Sequence, residues 1–522
     1  MLFAINKLNV SNLRGDLLGG LTAAIVSLPM ALTFGIASGV GAEAGLYGAI
    51  LIGLFAALFG GTSTLISEPT GPMTVVMASV VAGLIAANPD NGLAMAFTVV
   101  MMAGFFQILF GALKLGKYIT LMPYSVVSGF MSGIGVILII LQLAPALGQA
   151  PPSGGVIGMM LNLPSILAAT DFYELAIFSI TVACLFFTPR SISMRFPPQL
   201  LALVSISVLA AIISQSNPGI DIRVIGQIDV GIPSFTLPSF SLLQVQTMLI
   251  DAMVLGMLGC IDSMLTSVIA DNLTRTEHDS NKELIGQGLG NIVSGMFGGL
   301  PGAGATMGTV VNIQAGGKTP LSGVARVAIL IVAVYGLADL IQHIPLAVLA
   351  AIALKVGFDI LDWSFMKRAH RVSSQSTMIM YGVLFLTVFV DLIVAVGIGV
   401  FIANILAIER LSKVAENNIM AMSDVDDKLP LNAEQRDLLE KQNGRTLFFY
   451  LSGTMIFGVS KALAREHKNI AKHDVVIFDL EDVQLIDATI RLSIENMISE
   501  ALELNKGVFV VIKTERVRKA MA

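Results

Sequence analysis

Asp262 lies deep inside an apolar run, LIDAMVLGMLGCIDSMLTSVIADNL (249–273). A carboxylate at the centre of a membrane helix costs about 2.5–3.5 kcal/mol on insertion scales. It must therefore face protein or water and have a partner. No Lys or Arg is expected at comparable depth in neighbouring helices. Thr266 follows four residues on, which puts its hydroxyl on the same helix face. With Thr306 and the carbonyls around Gly304, these residues offer a set of oxygens. A hard monovalent cation wants an oxygen cage, so Na⁺ is the expected occupant, with Asp262 supplying the charge. Two alternatives stand beside it: a proton carried by the same carboxylate, and a purely structural, hydrogen-bonded acid.

Thr70 and the pair Ala305-Thr306 are the candidates for holding a substrate. Neither 66–77 nor 301–311 contains Lys or Arg. Hydroxyls and backbone N–H groups would hold a small anion there, in the field of helix ends and of the bound cation. That suits a monovalent anion better than a divalent one. A Thr hydroxyl commonly bonds back to its own helix; the broken-helix context of these two favours a ligand instead.

The surrounding chain must place these groups in a membrane. Of 522 residues, 55% are hydrophobic and 13% charged, against roughly 25% charged in soluble domains. The net charge of −5 argues against nucleic acid as a partner. Cys184 and Cys260 both lie in apolar runs and make no disulfide framework. The His residues do not cluster, which leaves no metal site beyond Na⁺. No nucleophile–base constellation, phosphate loop or dinucleotide fingerprint is present, so the chain does not read as an enzyme. Residues 1–409 hold 15 of the 31 Lys and Arg and 19 of the 36 Asp and Glu. The charge-rich remainder reads as soluble.

Fourteen apolar runs are candidate spans: 17–37, 41–60, 70–86, 92–113, 119–146, 173–188 and 199–215, then 243–270, 284–298, 304–315, 320–338, 342–357, 373–390 and 392–409. The start, MLFAINKLNVSNLRGD, lacks a signal-peptide cleavage site and reads as cytoplasmic. Loops after even-numbered spans then hold Lys114, Lys117, Arg190, Arg195, Arg275, Lys282, Lys318, Lys367, Arg368 and Arg371, whereas the odd loops hold only Arg223. The asymmetry supports fourteen spans with both termini in the cytoplasm. Glu68 and Asp391 lie near span ends, where solvation or capping suffices, and Lys355 and Arg326 can snorkel.

The third and tenth spans are interrupted. Phe59-Gly60-Gly61 matches Phe297-Gly298-Gly299, and Thr74-Val75-Val76 matches Thr309-Val310-Val311. Seven spans separate the matches, so the halves have opposite orientation. Broken segments at matching places in two halves point to a transporter's binding site.

In the C-terminal part, 446–451, 475–480 and 508–512 read as strands. Residues 457–469 and 489–505 read as amphipathic helices. This alternation implies a small α/β domain. The expected layout is a transport domain over 1–409, a polar linker over 410–443 and the α/β domain over 444–522.

GLTAAIVSLPMALTFGIASGVGAEAGLYGA (20–49), GTSTLISEPTGPMTVV (61–76), MPYSVVSGFMSGIGVILIILQL (122–143) and VDLIVAVGIGVFIANI (390–405) resemble the sulfate permease (SulP) anion-transporter family. Residues 258–291 and 302–319 are similar to its sodium-dependent bicarbonate branch nearly residue for residue. The resemblance implies an all-α polytopic membrane domain, a seven-plus-seven inverted repeat with core and gate domains, and a cytoplasmic STAS domain. It implies Na⁺ held at Asp262, Thr266, Gly304 and Thr306, and bicarbonate near Thr70, Ala305 and Thr306. Many relatives carry a basic residue at the start of the tenth span; this chain has none there. The implied activity is Na⁺/HCO₃⁻ symport by alternating access across the inner (cytoplasmic) membrane, in a homodimer joined through STAS and membrane domains. A proton-coupled sulfate or dicarboxylate carrier is the alternative. A membrane-anchored regulatory module acting through the STAS domain is a rival from another class. DLEDVQLIDATI (479–490) resembles the STAS signature, but Ala488 follows Asp487 where phosphorylatable relatives have Ser. Ending at Ala522, the domain is expected to lack a last strand and helix.

Overall fold

The computed structural model describes residues 5–521 except 9, 117–122, 153, 190–191, 193–196, 217–219, 221, 228–230, 232, 391, 417–418, 423–432, 456–459, 461–462 and 464–466. Lys117, Arg190, Arg195, Asp391, most of the expected helix 457–469 and parts of the expected linker and fifth span lie outside the described residues. The chain divides into two compact units, Met1–Val400 and Phe401–Ala522.

The first unit is helical. Its first half contains α1 (Leu13–Ala37), α2 (Ala42–Phe59), β1 (Ser67–Glu68), α3 (Gly71–Ala87), α4 (Gly92–Ala112), α5 (Tyr124–Leu141), α6 (Gly155–Ala168), α7 (Phe172–Phe187) and α8 (Pro198–Ser216). Then come α9 (Val245–Thr274), α10 (Ser280–Met296), β2 (Ala303–Gly304), α11 (Thr306–Gln314), α12 (Pro320–Ile341), α13 (Leu346–Ile360), α14 (Trp363–Val372) and α15 (Ser374–Phe389). The next helix, α16 (Leu392–Glu416), runs past the division between the units.

Each of the fourteen apolar runs carries a helix, but the helices are not fourteen equal spans. Among the described residues, seven are long and apolar enough to cross a membrane, and α6 with α7, bent by 117°, make an eighth candidate. At 1.5 Å per residue, α11 is about 14 Å long, half a bilayer core. Among the described residues of the first unit, two α-helices fall outside the expected spans. One is α6, which lies between the expected spans 119–146 and 173–188; there the Asn162 amide bonds the Gly158 carbonyl one turn back at 2.8 Å. The second is α14, which is amphipathic and joins two apolar helices.

Extended stretches replace helix just before α3 and α11. β1 and β2 pair antiparallel, Ser67 opposite Gly304 and Glu68 opposite Ala303. A two-residue ladder cannot satisfy all the backbone groups of these stretches, and buried unpaired groups are costly. α10 supplies much of the remainder from one polar stripe. Glu283 Oε2 accepts from the N–H groups of Gly61 and Thr62, both at 2.8 Å. Gln287 donates to Ser67 Oγ at 2.6 Å and to Glu283 Oε1 at 2.8 Å. Asn291 donates to the Gly302 carbonyl at 2.9 Å and accepts from its N–H at 2.8 Å. Ser294 donates to the Leu300 carbonyl at 2.7 Å. Spacings of four, four and three residues keep these side chains on one face. The other side of α10 packs tightly: a Cβ on Gly288 would lie 2.5 Å from the Gly104 carbonyl.

The second unit is an α/β layer. Its sheet has the order β3-β4-β5-β6 (Ile419–Met422, Thr446–Met455, Val475–Ile486, Gly507–Val511). β3 runs antiparallel to β4; the other pairs are parallel. Leu447, Phe449, Leu451, Val476, Phe478 and Leu480 alternate inward, as half-buried strands require, and meet Ile490, Ile494, Met497 and Ala501 of the helix Ala488–Glu503. The expected linker 410–443 is more than a linker. It carries β3, which pairs Met420 with Tyr450, and the helix Ala433–Glu440. IMAM is too short to show strand alternation by itself; its partner strand makes it one.

Replacing Asn291 by Leu should leave both polar groups of Gly302, and Gln107 Oε1, without their partner. Each costs about 1–3 kcal/mol. In thermal unfolding of the detergent-solubilised protein, Asn291→Leu should lower the midpoint by many degrees, whereas Asn162→Leu at an exposed site should change it little.

Candidate functional site

The site is built where α9 passes the β1–β2 crossing. α9 turns Asp262, Ser263 and Thr266 toward β2 and the start of α11. The Ser263 hydroxyl accepts from the Gly304 N–H at 3.0 Å. Thr266 Oγ1 donates to the Gly304 carbonyl at 2.9 Å and lies 2.9 Å from Thr306 Oγ1. Gly304 is thus held on both its polar groups by α9. A Cβ there would come 3.0 Å from the Leu65 side chain and 3.2 Å from the Ser263 backbone, so a larger residue would push the strand or Leu65 away from α9. Ser263 was not singled out in the sequence; no pattern marks one Ser among several in a helix.

Asp262 and Thr266 are buried and Thr306 is exposed. The cluster therefore meets solvent at the start of α11. Asp262 lies close to the Thr70 hydroxyl, but short of hydrogen-bond geometry: Asp262 Oδ2 and Thr70 Oγ1 are both buried without a partner. Thr70 is the N-cap residue of α3, where a Thr side chain usually caps its own helix. Here it makes no cap bond, which leaves the hydroxyl available.

The residues expected at the cation therefore come together, and Thr70 joins them. Ala305 plays a narrower part. It is the N-cap of α11, and its amide already donates to the Ile66 carbonyl at 2.8 Å. Donors for an anion must come from the next N–H groups of α11, which lack intrahelical acceptors, and from hydroxyls. The Ile66 N–H is itself satisfied by Thr309 Oγ1 at 3.0 Å.

Arg326 and Glu68 correct the sequence reading. Arg326 does not snorkel: it is fully buried, and its guanidinium donates to Glu68 Oε2 at 2.6 Å, the Ser67 carbonyl at 3.0 Å, the Ala49 carbonyl at 3.2 Å and Ser27 Oγ at 2.8 Å. Glu68 is not a solvated span end but the partner of that charge. A guanidinium's planar fork can satisfy several acceptors at once, and the extended stretch at 67–68 presents those acceptors inside the protein. A cation does therefore reach the depth of the site, but Glu68 already neutralises it. The signal available in the sequence was a charge of each sign inside two apolar segments, in opposite halves.

A Ser–His–Asp alignment also appears. His278 Nδ1 lies 2.6 Å from Asp271 Oδ2, and Ser280 Oγ lies 2.9 Å from His278 Nε2. Asp271 also accepts the His278 backbone N–H at 3.2 Å. The group ties the turn between α9 and α10.

A family model for the sulfate permease family matches residues 13–383, and one for the STAS domain matches 438–522. The chain belongs to the sulfate permease family. It is 58% identical to the bicarbonate transporter BicA of Picosynechococcus sp. over 99% of this chain and 91% of that protein. The solved transmembrane domain of a cyanobacterial BicA superposes with a TM-score of 0.72 at 61% identity, over 75% of this chain and 99% of that one. Murine Slc26a9, an anion transporter solved in the inward-facing state, shares the fold with a TM-score of 0.82 at 18% identity, over 99% of this chain and 88% of that one. The chain is thus a multi-pass membrane protein with a C-terminal STAS domain, and these relatives are transporters, not enzymes.

Removing one partner of the Arg326–Glu68 pair strands a buried charge, at a cost of about 3–5 kcal/mol. Arg326→Met and Glu68→Leu should each lower the unfolding midpoint strongly. The double variant should recover much of the loss, because two apolar groups leave no unpaired charge.

Proposed function

We propose that the chain is a sodium-coupled bicarbonate transporter working by alternating access. The observation that carries this reading is the buried Asp262 carboxylate, which among the described residues has no cationic partner and lies beside the unpaired hydroxyl of Thr70 where two interrupted helices cross. An uncompensated carboxylate at that depth is costly. Na⁺ bound among Asp262, Thr266, the Gly304 carbonyl and Thr306 neutralises it. The same ion adds positive charge at the start of α11, where the sequence has no basic residue. Bicarbonate then sits near Thr70, Ala305 and Thr306. It accepts from hydroxyls and from the first N–H groups of α11, and its own O–H can donate to a nearby oxygen.

The membrane unit reads as fourteen segments in two inverted seven-segment halves, with core and gate domains, in the inner membrane with both termini cytoplasmic. A homodimer through STAS and membrane domains completes the assembly. A tenfold inward Na⁺ gradient contributes about 1.4 kcal/mol to uptake. A 1:1 load is electroneutral, so the membrane potential adds nothing directly.

The test is uptake of labelled bicarbonate into proteoliposomes with Na⁺ or choline outside. Uptake should require Na⁺, and Asp262→Asn should lose the Na⁺ stimulation. Uptake indifferent to choline but driven by external acid would replace Na⁺ by a proton at Asp262. Sulfate or dicarboxylate uptake in place of bicarbonate would overturn the substrate. Thr70→Val should raise the KM for bicarbonate about tenfold, ~1.4 kcal/mol, at saturating Na⁺, and leave kcat nearly unchanged.

A further inference from the structure

α14 is the helix that the transport reading does not use. It is ten residues long, WSFMKRAHRV, and connects α13 to α15 directly. Both neighbours are apolar, so α14 lies where the chain turns at a membrane surface. Its two sides differ sharply. Ala369 is fully buried, and Phe365 and Met366 are half-buried. Ser364, Lys367, Arg368 and Arg371 are exposed and spaced to form one stripe.

The helix is anchored at its first turn. Asp362 caps it by accepting from the Phe365 N–H at 3.0 Å. The same carboxylate accepts from Tyr124 Oη at 2.7 Å and Ser128 Oγ at 2.8 Å, both on α5. The Tyr124 and Phe365 rings meet edge to face, 5.2 Å apart. α14 is therefore fixed to the membrane unit.

The basic stripe is unbalanced. Nearby Lys355 pairs with Asp359. Among the described residues, no acidic side chain forms an ion pair with Lys367, Arg368 or Arg371; Arg368 bonds only the carbonyl and hydroxyl of Ser364, at 3.0 and 3.1 Å. Trp363, at the start of the helix, is 39% exposed beside the Phe358 ring. It is the only tryptophan of the chain. Tryptophan favours the boundary between headgroups and acyl chains, and a short amphipathic helix with a cationic face lies in that boundary.

We propose that α14 is a lipid-binding foot: Lys367, Arg368 and Arg371 hold the phosphates of anionic phospholipids in the leaflet that Trp363 enters. The occupant is a lipid headgroup and not free phosphate, because the cations stand beside an interfacial aromatic rather than in an enclosed cradle. Each cation near an anionic surface attracts it with about 1 kcal/mol, which corresponds to roughly fivefold in local lipid occupancy.

Trp363 reports its own surroundings. The full chain is placed in phosphatidylcholine nanodiscs carrying the same minor fraction of either brominated phosphatidylglycerol or brominated phosphatidylcholine, and its fluorescence is recorded. Brominated phosphatidylglycerol should quench at least about twofold more, and added salt should narrow the gap. Inorganic phosphate at the same ionic strength should do no more than chloride. In the variant Lys367→Gln/Arg368→Gln/Arg371→Gln the gap should vanish while quenching by phosphatidylcholine persists, which shows the helix still in place. Equal quenching by both lipids in the wild type would overturn the proposal. So would a gap that survives in the variant. Quenching by neither lipid would place Trp363 against protein and overturn it as well.

Discussion

Backbone at membrane depth has no water to bond, and in this chain two stretches leave helix there, just ahead of α3 and α11. Their polar groups are accounted for one by one. Two residue pairs satisfy each other as β1 and β2, and α10 satisfies much of the rest through Glu283, Gln287, Asn291 and Ser294. The site depends on this arrangement. Without a polar stripe on α10 the chain could not remain out of helix at 60–68 and 298–305, and α3 and α11 would not begin beside each other inside the protein.

Once both helices begin there, their first turns and the facing side of α9 enclose a small volume lined by oxygens. Most are already engaged: Gly304 is bonded at both ends, and Ser263 and Thr266 face it. The unmatched groups are Asp262 Oδ2 and Thr70 Oγ1. On the proposed function, a cation at the first and an anion at the second complete this remainder. The buried Arg326 does not meet that need, because Glu68 takes its charge and the Ser67 and Ala49 carbonyls take its remaining donors.

Much of this was readable from residue patterns. Asp262 announced itself as a carboxylate in an apolar helix, and the paired FGG and TVV strings located the broken segments. Each expected apolar run carries a helix. Pairing between distant residues was not readable. Considered singly, Arg326 can snorkel and Glu68 can be solvated or cap a span end, so neither pointed to the other. β3 is a strand only because β4 lies beside it. The helix Gly155–Ala168 fell between two expected spans. For Arg326, Glu68 and β3 the deciding interaction joins residues distant in the chain, where local periodicity carries no information.

The central claim is that cation and anion complete one another's site. Linkage makes this measurable without transport: if bicarbonate improves Na⁺ binding by some factor, Na⁺ must improve bicarbonate binding by the same factor. Na⁺ affinity of the purified full chain, titrated at a series of bicarbonate concentrations, is the direct test. The account predicts a dissociation constant that falls as bicarbonate rises and then levels off, with the reciprocal titration giving an equal factor. A Na⁺ affinity that stays constant across the series would contradict it.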